Sequence, residues 1–105
     1  MAFTQKRLAS GFLTATLTTV LYTNPGSVTT IIKMIWLVNT DTVAQAVTIR
    51  APGSTAGNEI LSAYSMQPGE VLPLVGHWIL NTTETLTGGA ATGSKVACMV
   101  TGVEG

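Results

Sequence analysis

The sequence predicts an all-β, single-domain antiparallel β-sandwich, jelly-roll-like, of about eight short strands. Three observations lead there. Turn punctuation cuts the chain roughly every 8 to 15 residues, the spacing of a sandwich or barrel. Thr is heavily used, as in β-rich chains, and helical periodicity is missing throughout. The length of 105 residues fits one domain, read as an N-terminal arm or first edge strand over 1–13 and a β-sandwich domain over 14–105.

A first strand or extended arm is expected over 5–13. Lys6 and Arg7 there are the only adjacent charges in the chain. They read either as a solvated tail or as an arm that orders on a partner through charge-assisted hydrogen bonds. Strands then follow over 16–22, 28–39, 43–50, 59–65, 70–75, 78–80, 84–87 and 95–103. Asn24-Pro25-Gly26-Ser27 and Gln67-Pro68-Gly69-Glu70 each suit a type II turn, with proline fixing φ at the second position and glycine taking positive φ at the third. Asn39-Thr40-Asp41-Thr42 can bond its own backbone, which predicts a tight hairpin between the long strand 28–39 and the next one. The stretch 51–58 is the longest loop, and 88–93 (GGAATG) reads as a second flexible one.

The segment TTIIKMIWLVNTDT carries the densest apolar run. With alternate residues facing opposite sides, Thr30, Ile32, Met34, Trp36 and Val38 line one face and Ile31, Lys33, Ile35 and Leu37 the other. Both faces are apolar, and KVACMVTGV shares the surplus, with Val96, Cys98 and Val100 alternating with Ala97, Met99 and Val103. A sandwich core covers one face only. Another copy or a partner is expected on the other, at an interface of Lys6, Arg7, Ile31, Lys33, Ile35, Leu37 and Trp78. The simpler alternative tucks that second face under the loop 51–58.

Composition narrows the function. Five Lys and Arg balance five Asp and Glu, and charged residues make up 10% of the chain, against a usual ~25%. No basic field exists to hold nucleic acid or an anionic membrane, and low charge gives copies little mutual repulsion. No apolar run approaches the ~20 residues of a membrane helix. The single cysteine, Cys98, reads as a small core residue. His77 reads as a turn or surface residue. With one His, one Cys and scattered carboxylates, no catalytic or metal-binding constellation emerges, and no cofactor is expected. Asn81-Thr82-Thr83 reads as a polar turn. Trp78 and Tyr64, near strand ends, leave a sugar-stacking platform as a rival reading, that of a carbohydrate-binding module.

Taken in order, KRLASGFLTATLTTVLYTNPGSVTTIIKMIWLVNTDTVAQAVTI, then GEVLPLVGHWILN, then VACMVTGVEG, the chain resembles small structural proteins of tailed bacteriophages from Lys6 to Glu104. The shared features are a short basic-polar start, a turn after LYT, a long strand ending in an Asn-Thr-Asp hairpin and a valine-rich last strand. The resemblance implies a non-enzymatic virion subunit, assembled in the host cytoplasm, with no catalytic residues to carry over. It implies a capsid decoration or cement protein, with a neck, collar or tail component as the alternative. The implied partners are copies of itself, a trimer being preferred, and the major capsid protein or other virion proteins, without nucleic acid or membrane. At most a dozen residues precede the first strand here, shorter than the arm of the best-known head-decoration proteins, which leaves head against neck or tail open.

Overall fold

A computed structural model describes residues 3–55 and 57–105; Met1 and Ala2 of the expected arm, and Ala56 of the long loop, lie outside the described residues. Eight strands form: β1 (Thr4–Phe12), β2 (Val20–Thr23), β3 (Thr30–Asn39), β4 (Gln45–Arg50), β5 (Glu59–Met66), β6 (Val71–Leu80), β7 (Thr85–Ala90) and β8 (Val96–Glu104). They make two four-stranded antiparallel sheets, sheet I in the order β1-β8-β3-β6 and sheet II in the order β2-β7-β4-β5. The pairing is nested: β4 with β5, β3 with β6, β2 with β7 and β1 with β8, with β3·β8 and β4·β7 closing each sheet. This is one long hairpin rolled up on itself, the jelly-roll arrangement.

The core lies between the sheets. Ile32, Ile35, Leu37, Leu80, Val96, Cys98 and Val100 come from sheet I, and Val47, Ile49, Met66, Leu86 and Ala90 from sheet II. Cys98 is buried, and burial pushes its thiol up to about 12, so it remains protonated at neutral pH.

Several expectations are corrected. The hairpin expected between residues 28–39 and the next strand does not form, because β6 and β8 occupy both edges of β3 and β4 must cross to the other sheet. Asn39 steers that crossing. Its Oδ1 accepts from the Asp41 N–H at 2.9 Å, and its Nδ2 lies 3.0 Å from the Val43 carbonyl and 2.9 Å from that of Met66 in sheet II. Asn24 repeats the device at the other end of β3. Its Oδ1 accepts from Gly26, and its Nδ2 is 3.0 Å from the carbonyls of Val28 and Leu80 and from Thr30 Oγ1. Both asparagines are buried, so each spends its amide inside the fold.

The Gln67–Glu70 turn forms, closed by the Glu70 N–H on the Gln67 carbonyl at 3.0 Å, and Gly26 and Gly69 both take the expected positive φ. The two pieces expected over 70–75 and 78–80 are one strand, β6. The expected strand over 16–22 is confined to Val20–Thr23, because residues 13–19 fold over β7 instead. The supposed flexible loop over 88–93 begins as strand: Gly88, Gly89 and Ala90 are buried in β7. At Gly89 a Cβ would meet the Thr16 carbonyl oxygen at 2.5 Å, so glycine is there for close backbone approach and not for flexibility.

Candidate interaction face

The outer side of sheet I is read from its register. Four cross-strand rows cover it, written in the order β1, β8, β3, β6: Gln5, Val103, Ile31 and Ile79; Arg7, Thr101, Met34 and Val75; Ser10, Met99, Trp36 and Pro73; Phe12, Ala97, Val38 and Val71. Val75 is 73% exposed and Trp36 41%, and Phe12, Val71, Ile79 and Met99 are likewise exposed. Contiguous exposed apolar surface of this kind is uncommon on monomeric proteins. The face is also uneven. Shallow depressions of about 340 Å³ beside Phe12, Trp36 and Met99 and about 230 Å³ between Met34, Trp36, Met99 and Thr101 could receive side chains.

A β-bulge decides which residues reach this face. The register of β3 against β8 and β6 shifts between Ile32 and Met34, leaving Lys33 as the extra residue against β8. In such a bulge two successive side chains share one side. Before it Thr30 and Ile32 point inward; after it Ile35, Leu37 and Asn39 do, all fully buried. Lys33 and Met34 both turn outward. Gly102, opposite Ile32 on β8, allows the kink: a Cβ there would run into the Ile31 carbonyl.

The expected interface is therefore corrected in part. Ile35 and Leu37 are core residues at 0% exposure, because strict alternation fails at Lys33. Trp78 also turns inward. It pairs with Ile32, packs against the core, and its ring occupies the space a Cβ on Gly76 would need. Ile31 is half-buried on the outer face, and Lys33 is exposed there. Met34, Trp36, Val75 and Met99 take the places lost. Sequence reading had put Met34 and Trp36 on the opposite side from Lys33, and the glycine in VTGVE was the available sign of a bulge.

Lys6 and Arg7 sit on β1, paired with Gly102 and Thr101. Arg7 faces outward in the Met34 row. Lys6 instead bonds Glu104 at 3.0 Å. Glu104 also accepts from Thr30 Oγ1 at 2.8 Å and from the Tyr22 hydroxyl, which reaches across from sheet II. Burial works to raise the Glu104 carboxyl, but the hydrogen bonds from Tyr22, Thr30 and Lys6 and the Lys6 charge outweigh it and hold the group below the ordinary carboxylate value. Burial, then the bond to Glu104, pushes the Tyr22 hydroxyl up to about 12. This cluster ties the two sheets together at one end of the sandwich.

His77 lies on the outer side of β6, 3.1 Å from Lys33 Nζ through its Nδ1. Among the described residues no three His, Cys, Asp or Glu side chains come close enough to hold a metal ion. Trp78 and Tyr64 belong to different sheets and form no common platform. Tyr64 is tied to Glu70 at 2.7 Å. Among the described residues no helix is long and apolar enough to cross a membrane. No protein-family model matches the chain, and neither a curated protein nor a solved structure matches it.

Proposed function

We propose that this chain is a non-enzymatic virion structural protein that acts by laying the outer face of sheet I against other subunits, as a capsid decoration or cement protein. The observation that supports the reading is that face: a largely apolar surface on the outer side of a jelly-roll sheet, running through Trp36, Met99 and Val75. Fully burying side chains of this size contributes about 1.5–3 kcal/mol each before the cost of association. Several anchors repeated over many copies hold a tile on a shell. The order of motifs from Lys6 to Glu104, similar to that of phage structural proteins, supplies the setting.

A neck, collar or tail position would use the same face. Reconstruction of assembled virions separates these possibilities. Density for an eight-stranded sandwich seated on the head, sheet I inward, is the expected result. Density at the neck or tail replaces decoration with the alternative, and particles without the chain refute a virion role.

A further inference from the structure

The face of sheet I also carries a charge pattern that bears on what covers it. Its charged groups are Arg7 and Lys33, with His77 beside Lys33. None of its rows contains a carboxylate. The five carboxylates of the chain are occupied elsewhere. Asp41 bonds Gln45 and the Thr42 N–H. Glu59 pairs with Arg50. Glu70 and Glu84 each close a turn by accepting the N–H three residues earlier, at 2.8 and 2.7 Å. Glu104 is held in the inter-sheet cluster. Among the described residues, Arg7 and Lys33 have no carboxylate partner within the chain. Beside Lys33, an open depression of about 560 Å³ is lined by Gln5, Lys6, Lys33, Thr101, Gly102 and Val103.

We infer that the occupant of this face is a protein surface of a different kind from the chain itself: apolar at its centre and bearing carboxylates that meet Lys33 and Arg7. This rests on the assembly reading above and names the chemistry of the partner. A second copy laid face to face brings no carboxylate to Arg7 or Lys33, and wherever its own cations oppose them the like-charge juxtaposition is unfavourable. A lone self-dimer through this face lacks complementarity. A carboxylate-bearing partner replaces repulsion with attraction, and repetition on a lattice multiplies a modest contact. Contacts among copies, including any trimer, then fall outside this face.

The test uses a charge-reversed copy as the acidic, apolar probe. Wild-type chain and an Arg7→Glu/Lys33→Glu variant are examined singly and mixed by analytical ultracentrifugation. The expected result is that each alone self-associates weakly and that the mixture forms a heterodimer at least about tenfold tighter, weakened by about 0.5 M salt and abolished by Trp36→Asp in both chains. If the reversed variant does not fold, Arg7→Gln/Lys33→Gln replaces it, and that neutral copy should self-associate more tightly than wild type. A wild-type dimer or trimer dissolved by Trp36→Asp overturns the inference in favour of a second copy. A mixture, or a neutral copy, no tighter than wild type overturns it as well. Both outcomes leave the virion role standing, which only the absence of the chain from particles removes.

Discussion

The outer faces of the two sheets are finished differently. The middle of sheet II, around Thr87 and Gly89, is covered by its own chain, while Val20 and Ala46 toward its rim stay exposed. Residues 13–19 fold over Gly89, anchored by Ala90 N–H to Thr14 O at 2.9 Å and Gly88 N–H to Thr19 O at 3.0 Å. The loop after β4 places the Gly53 carbonyl 3.0 Å from Thr87 Oγ1, and Thr87 is buried. Among the described residues nothing covers the outer side of sheet I in this way, although its rows are the more apolar. The start of the loop after β4, which could have sealed residues 28–39, meets the opposite sheet through Gly53. A chain able to cover one sheet with its own loops leaves bare the sheet with the strongest reason to be covered, and that contrast is what the assembly reading explains.

Removing the cover of sheet II should have the largest effect on folding. Gly89→Ala places a Cβ against the Thr16 and Thr14 carbonyls, at 2.5 and 2.9 Å, where backbone on both sides must shift. Overpacking of this kind costs about 1–3 kcal/mol, and Gly89→Val should exceed that range. Urea unfolding should show a lower midpoint, and rapid proteolysis within 13–19 would locate the damage. Unchanged stability would mean that the loop does not bear on the sheet.

Next come the two buried asparagines at the ends of β3. Asn24→Ala and Asn39→Ala each strand the carbonyls and N–H that the side chain serves, so a loss of about 1–2 kcal/mol apiece is expected. Because the two sites are remote in the fold, the double variant should be additive within about 0.5 kcal/mol. A cost near zero at either site would show that water replaces the amide.

The same residues show how far the sequence can be read. The positive φ of Gly26, the Asx bond of Asn39 (though not the hairpin expected from it), the Pro-Gly turn at 67–70 and the paired excess of apolar residues in β3 and β8 were legible because each depends on local chemistry: proline φ, glycine φ, an Asx bond, alternation. The two strands read as apolar on both sides do lie side by side, with Trp36 opposite Met99. What was not legible depends on neighbours distant in sequence. The parity of β3 after Lys33 is set by Gly102 on another strand, so Ile35 and Leu37 looked like interface residues and Trp36 did not. Trp78 looked exposed because its partner surface, Gly76 and the core beyond it, arises only when β6 runs unbroken. Gly88 and Gly89 carry a loop composition, and only their pairing with Ile49 and Thr48 of β4 makes them strand.

The inter-sheet cluster gives a smaller, pH-dependent effect. Glu104 has a folded value below its ordinary one, so its contribution is fully present above the unfolded carboxylate value and is lost as pH falls through the folded one. Tyr22 works at the other limit. Its folded value of about 12 lies above the ordinary 10.0, so its contribution is present below 10.0 and disappears as pH rises toward 12. Glu104→Gln should flatten the acid limb of a stability profile, and Tyr22→Phe the alkaline one. An acid limb of unchanged slope in Glu104→Gln would assign it to the other carboxylates.

The smallest effect on folding should come from the bare sheet, and there the contrast is sharpest. Val75 is the most exposed of its apolar side chains, at 73%, and lies between His77 and Pro73 on an edge strand. Val75→Ser removes little packing, so its stability should stay within about 0.5 kcal/mol of wild type. Docking should respond quite differently, because a side chain that contributes little to the fold contributes most where a partner excludes water from it. In the charge-reversed pairing, Val75→Ser on both chains should weaken association by about tenfold, the equivalent of roughly 1.4 kcal/mol. If folding suffers and association does not, the outer face of sheet I belongs to the domain's own packing and the difference between the two sheets has no functional meaning.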